Sequence, residues 1–172
     1  EDFYNQLVAA GDITRPGDLW WVIRPQPPLG TIEVRACDLP TDARRLAAFA
    51  ALVQAALAVF QDQYHRRQPP TPLRDHYLDE NRWKAMRFGL NCDIIHPQTG
   101  QTLPIRDYLQ TLLALCYPKA RQLHSAAHLD YLETILRTGD SESSWQIQTC
   151  QSFAGNLQKL EFAIADRTIV PG

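Results

Sequence analysis

Leu19-Trp20-Trp21-Val22-Ile23-Arg24 and Thr31-Ile32-Glu33-Val34-Arg35-Ala36-Cys37, separated by Pro25 to Gly30, decide how this chain is read. The first run is rich in aromatic and β-branched residues and the second alternates apolar with polar, which are the marks of strands. The connection holds three prolines and a glycine and suits a turn. A β-hairpin is expected over residues 18–38. Alternate residues of a strand share a face, so Thr31, Glu33, Arg35 and Cys37 should point one way, and Ile32, Val34 and Ala36 the other, toward a core. Two strands alone make a marginal sheet in water. Further strands are expected from a homo-oligomer or, in preference, from an N-terminal portion of the same protein.

After the hairpin the apolar period changes from two to that of a helix. Thr41 is expected as the N-cap of a long helix with Asp42 in its first turn; Leu46, Phe49, Ala50, Val53, Ala56, Leu57 and Phe60 hold helical spacing, Ala47, Leu52 and Val59 make the other side apolar as well, and the helix should be central to the core. The run from His65 to Pro72 should break it, because prolines remove backbone donors. A short helix is expected from Glu80 to Phe88, capped by Asp79 and stopped by Gly89, with loop from Asn91 to Pro104. Helices that begin at Pro104, end at Gly139, and run through Phe153, Leu157, Leu160 and Ile164 complete a helical region over 41–166. The class is α+β, a hairpin followed by a mainly helical region.

With 172 residues, 45% of them apolar and 21% charged, the composition is that of one ordinary globular domain. A net charge of -2 and a pI near 6.2 lack the basic footprint of a nucleic-acid binder. Cys37, Cys92, Cys116 and Cys150 are widely spaced and form no C-x-x-C pair, so they read as reduced thiols of a cytoplasmic protein. Leu46 to Phe60 is shorter than a bilayer span and is interrupted by Gln54, so no membrane anchor is expected. The opening Glu1-Asp2-Phe3-Tyr4 has neither a methionine nor a signal-peptide layout, and reads as a boundary with chain missing before it.

Glu33 and Arg35 stand two residues apart on one expected face, roughly 7 Å along the strand. A carboxylate offers hard oxygen to Mg²⁺, and a guanidinium grips phosphate oxygens through its planar fork. The plainer alternative is an ion pair on a solvated strand. Arg24 ends the first strand, where a phosphate or substrate carboxylate could be held. Asn81 and Arg82 fall in the first turn of the expected second helix, where free backbone N–H groups favour an anion, although Glu80 and Lys84 also have i, i+4 ion-pair spacing. His124 and His128 have a spacing that zinc uses, but no third or fourth ligand at matching spacing.

Leu19-Trp20-Trp21-Val22-Ile23-Arg24-Pro25 with Gly30-Thr31-Ile32-Glu33-Val34-Arg35-Ala36-Cys37-Asp38 resembles the W-W-x-x-R-P … T-x-E-x-R-x-x-D stretch of the carboxylate–amine ligases, which include glutamate–cysteine ligases. Glu80-Asn81-Arg82-Trp83-Lys84-Ala85-Met86-Arg87-Phe88-Gly89 resembles that family's E-N-R-W-x-A-x-R-x-G segment. Ile32 to Leu57 is also similar to the corresponding strand and helix of glutamine synthetases. The resemblance implies a glutamine synthetase-like fold, with residues 1–172 as the C-terminal segment of a larger catalytic domain. It implies ATP and Mg²⁺ as cofactors, and glutamate and an amine, taken as cysteine, as substrates. ATP would phosphorylate the γ-carboxylate and the amine would attack the acyl phosphate, the first step of glutathione synthesis. Glu33 would be a metal ligand, Arg35 the catalytic contact to the moving phosphoryl group, and Arg24, Asn81 and Arg82 substrate or nucleotide contacts. Many members have an acidic residue where this chain has Val22, and the segment around Ser144-Trp145-Gln146 matches poorly. With the other metal ligands upstream, the isolated chain is expected to be inactive; the rival reading is a non-catalytic helical interaction module that retains the fold.

Overall fold

The computed structural model describes residues 2–68 and 73–168, which fall into two compact units, 1–39 and 40–172. Pro69, Pro70, Thr71 and Pro72 of the expected helix-breaking run lie outside the described residues. The described residues form seven α-helices and two small antiparallel sheets, a mainly helical α+β chain.

The first unit opens with helix α1 (Asp2–Ala10), for which no sequence signal was read. The hairpin pairs β1 (Ile23–Gln26) with β2 (Thr31–Val34) in the register Ile23↔Val34, Arg24↔Glu33, Pro25↔Ile32 and Gln26↔Thr31. A single 3₁₀ turn over Pro27–Leu29 and Gly30 at φ +62° close it, the glycine taking a backbone conformation that side chains disfavour. β1 is shifted from its expected place: Leu19 to Val22 precede it and Pro25 lies within it. In a two-stranded sheet both strands are edges, so a proline without an N–H is tolerated. β2 stops at Val34, and Cys37 lies exposed in a bend beyond it. The expected core face is open among the described residues, with Ile23 56%, Ile32 42% and Val34 37% exposed, whereas Arg24, Gln26 and Glu33 are half-buried.

The second unit is built on α2 (Ala43–His65). Asp42, not Thr41, is the N-cap: its carboxylate accepts from the Arg44 N–H at 2.8 Å. Thr41 is occupied elsewhere, donating to Glu142 at 2.7 Å. The buried face is the stripe Arg45, Ala48, Ala51, Ala55 and Val59, while Leu46, Leu57 and Phe60 are exposed. Small side chains on that stripe let α4 (Ile105–Gln122) and α5 (Ala126–Thr138) approach closely, through Leu113, Cys116, Ala120, Leu129, Leu132 and Leu136. By length and composition alone α2 could cross a bilayer. In this fold its alanine stripe packs on α4 and α5.

Three further expectations change. Helix α3 spans Asp75–Phe88 and so starts earlier than Glu80, with Arg74 in the N-cap position and Gly89 ending it as expected. The expected loop contains a second hairpin, β3 (Asp93–Ile95) with β4 (Thr102–Pro104). The final helix is two, α6 (Glu142–Ser152) and α7 (Leu157–Thr168), parted where Ala154 and Gly155 take positive φ. Pro104 at a helix start, and the Leu129, Leu132, Ile135, Leu136 face ending at Gly139, are found as expected.

Candidate functional site

The register of the first hairpin puts Arg24 directly opposite Glu33, a cross-strand pair on one face. Arg24 donates to Glu33 Oε2 through Nη2 at 2.5 Å and Nε at 3.0 Å, a charge-assisted pair. Its Nη1 is tied to the carbonyls of Gly17 at 2.6 Å and Leu19 at 3.2 Å, so the side chain is held on both sides. Gln26, two residues along the same face, donates to the same Oε2 at 3.0 Å. Those hydrogen bonds, Arg24 first and Gln26 second, hold the Glu33 carboxyl below the usual glutamate range despite some desolvation.

Arg35 lies just past β2, and its N–H donates to the Val22 carbonyl at 2.7 Å, extending the ladder by one bond. Its Nε stands 3.6 Å from Glu33 Oε1, and its guanidinium lies over the Trp20 ring at 5.2 Å. Arg24, Glu33 and Arg35 are thus one cluster: two guanidiniums flank one carboxylate, leaving one positive charge uncompensated. Arg24 is the fixed member at 15% side-chain exposure, and Arg35 the more accessible one at 35%. The pairing is also the plain ion pair that strand alternation alone allows.

Mg²⁺ can be tested against these donors. Glu33 Oε2 already accepts three hydrogen bonds, whereas Oε1 has only the longer Arg35 contact. One oxygen is therefore open to a metal that takes only one or two protein carboxylates beside nucleotide phosphates. Among the described residues no group of three His, Cys, Asp or Glu side chains could hold a metal ion. His124 has φ 56° in the link after α4, whereas His128 is inside α5, so the two do not share one helix face.

Asn81 and Arg82 belong to the other unit and, with α3 beginning at Asp75, lie beyond the first turn. The anion-binding argument from free N–H groups at a helix start therefore fails for both. The Asn81 side chain instead donates to the Ile95 carbonyl at 2.6 Å and accepts from the Ile95 N–H at 2.8 Å, anchoring β3 to α3. Arg82 is exposed, and Lys84 pairs with Glu80 at 3.6 Å as the i, i+4 spacing expects.

Sequence reasoning passed over Arg45 and Glu142. Arg45 is 2% exposed, with Nη2 3.2 Å from Asp140 and Nε 3.7 Å from Glu142. Its signal was its position: three residues before Ala48, it continues the small-residue stripe of α2 with a charge. Nothing in the local sequence pointed to Glu142, whose partners Thr41 and Arg45 lie about a hundred residues away in the chain.

The model of glutamate-cysteine ligase family 2 matches residues 1–161. The chain belongs to glutamate-cysteine ligase family 2. Among its relatives, a protein of Leifsonia xyli subsp. xyli is 33% identical over 160 residues, covering 93% of this chain and 42% of the relative. A protein of Thermobifida fusca is 37% identical over 142 residues, covering 82% and 35%. One of Acidovorax sp. strain JS42 is 37% identical over 149 residues, covering 84% and 38%. All three bear the name "Putative glutamate--cysteine ligase 2". The chain therefore spans well under half the length of these family members.

Proposed function

We propose that this chain is the C-terminal part of an ATP-dependent ligase that joins the γ-carboxylate of glutamate to an amine, with cysteine as the preferred acceptor, on a glutamine synthetase-like curved sheet. The observation that supports this best is the Arg24–Glu33–Arg35 cluster, three groups of the family-like motif gathered on one hairpin face with an excess positive charge. Phosphoryl transfer needs charge neutralisation and positioning more than covalent help from the protein. Arg35, the accessible guanidinium, would contact the phosphoryl group during transfer to glutamate. Arg24 would hold Glu33 in place and add to the positive field at the face, its own donors being largely engaged. Glu33 would offer Oε1 to Mg²⁺. A cation held there would supply positive charge against that of the nucleotide phosphates. Arg82 is proposed as a nucleotide contact from the exposed side of α3, and Asn81 acts through the position it gives the second hairpin. Other metal ligands would come from the part of the protein that precedes these residues, in keeping with a cytoplasmic enzyme of thiol metabolism.

The test gives the full-length protein ATP, Mg²⁺, glutamate and each of several amines, and follows ADP release. Cysteine-dependent release is expected. Glu33→Gln should lower kcat by about 100-fold, the scale of losing one preorganised charge contact, with the circular dichroism spectrum unchanged. Wild-type turnover in that variant removes Glu33 from the chemistry. No amine-dependent ADP release from folded protein would leave the non-catalytic helical module as the reading, which Val22 in place of an acidic residue favours.

A further inference from the structure

Arginine and a carboxylate commonly meet fork to fork, one N–H on each oxygen. On the first hairpin they do not. Arg24 places both Nη2, at 2.5 Å, and Nε, at 3.0 Å, on the single oxygen Oε2 of Glu33. Its remaining nitrogen, Nη1, is held by the carbonyls of Gly17 at 2.6 Å and Leu19 at 3.2 Å. Gln26 adds a third donor to the same oxygen, through Nε2 at 3.0 Å. The register sets Gln26 opposite Thr31, so it lies diagonal to Glu33 on the face that carries Arg24. Oε1 is left with the Arg35 Nε at 3.6 Å, beyond hydrogen-bond reach.

The torsion that separates the two arrangements is soft. A glutamate's terminal carboxylate turns on a broad, roughly twofold profile, so the stem does not fix where its oxygens point. With Arg24 as its only close donor, the Glu33 carboxylate would turn until the planar guanidinium spanned both oxygens. Oε1 would then be occupied, and a cation could reach it only by displacing a charge-assisted hydrogen bond. A second donor on Oε2 opposes that turn, because turning would strand the amide of Gln26 at a half-buried position. An amide also suits this place in being neutral. A lysine there could hold the same oxygen, but its charge would repel a cation arriving beside it.

We propose that Gln26 is a positioning residue: by pinning Oε2 it keeps Arg24 and Glu33 from closing fork to fork, and so holds Oε1 free for a divalent cation. This role rests on the reading of Glu33 as a metal ligand. Mn²⁺ binding to the full-length protein, followed by the electron paramagnetic resonance of free Mn²⁺, tests it with wild type, Gln26→Met and Glu33→Gln. Methionine has nearly the length of glutamine and no N–H to donate. Gln26→Met should weaken Mn²⁺ binding about tenfold, the scale of losing a residue that orients a metal ligand. Its melting temperature should hold or rise, because the freed Arg24–Glu33 pair closes on itself. A glutamine that merely supports the hairpin predicts a lower melting temperature, and that result, with or without a change in Mn²⁺ affinity, overturns the proposal. Glu33→Gln separates the two levels. If it binds Mn²⁺ as wild type does, the metal-ligand reading falls and the role of Gln26 with it. If it binds more weakly while Gln26→Met does not, the role of Gln26 alone falls. In ADP release, Gln26→Met should raise the half-saturating Mg²⁺ concentration about tenfold and leave kcat at saturating Mg²⁺ within about twofold. A lower kcat at an unchanged half-saturating concentration overturns the proposal as well.

Discussion

Residues 1–39 and 40–172 are held together by different physics. The helical unit buries Ala48, Ala55, Cys116, Ala120 and Leu129 completely, and its alanine stripe gives α2 a close-packed contact with α4 and α5. In the first unit Ile13 and Leu19 are the buried apolar side chains among the described residues, and its organising contacts are polar: Asp18 receiving Thr14 and Arg15, and Glu33 receiving Arg24 and Gln26. Stability should therefore reside in one unit, and the charge arrangement suited to phosphate in the other. Exposed ion pairs contribute little to folding, which leaves them free to be placed for chemistry.

The hardest blow to that contrast is Leu129→Ala. Leu129 is fully buried on α5 against α2 and α4, and removing its side chain should cost about 3 kcal/mol through lost burial and the cavity left behind. Urea unfolding followed by far-ultraviolet circular dichroism reads this directly. A change below about 1 kcal/mol would mean that the cluster is not the core of the unit.

A smaller effect comes from Asp42. Its carboxyl is held at about 2, below the ordinary 3.8, chiefly by the Arg44 side-chain hydrogen bond, and the side chain is only 9% exposed. The folded value lies below the unfolded one, so the stability it contributes is complete above about pH 4 and is lost as pH falls toward 2. The full amount is at most about 2 kcal/mol, reduced because Arg44 itself is 75% exposed. Asp42→Asn keeps a good N-cap and removes the charge. Its deficit at neutral pH should shrink through that window and vanish only below about pH 2. Asp18 is also held at about 2, so both contribute to the wild-type acid limb, and the difference curve isolates Asp42. A deficit that does not change with pH would assign the effect to the cap alone.

What could be read from the sequence follows the same division. The hairpin, the long helix, the Gly89 stop and the α5 face are patterns contained within a few turns or strands, and they were legible. Strand alternation likewise put Glu33 beside Arg35, but Arg24 joined them only once the register was known. Features set by distant partners were hidden. Thr41 lost the N-cap position as its hydroxyl reached Glu142, 101 residues away, and β3 is anchored by Asn81 from another helix. A helix apolar all round could not announce that its alanines, rather than Leu46 or Phe60, would face inward. The same blindness hid Arg45, whose meaning depends on Asp140 and Glu142.

The smallest effect is the most telling about the hairpin. Ile32 is 42% exposed on a face whose neighbours Ile23 and Val34 are exposed too, so Ile32→Lys in the 172-residue chain exchanges one solvated side chain for another. Its unfolding free energy should move by less than about 0.5 kcal/mol. In the full-length protein the outcome differs if upstream strands cover this face. Burial of an isoleucine is then worth about 1.5–3 kcal/mol, and a lysine in its place must also be desolvated, so the loss should exceed about 2 kcal/mol. Equal and negligible shifts in both proteins would mean that the face stays open, that the two strands are the whole of this sheet, and that the Arg24–Glu33–Arg35 cluster has no concave sheet around it in which to work. A large shift in the full-length protein alone would show that the hairpin is one edge of a larger sheet, and that its apolar face, solvated here, is core there.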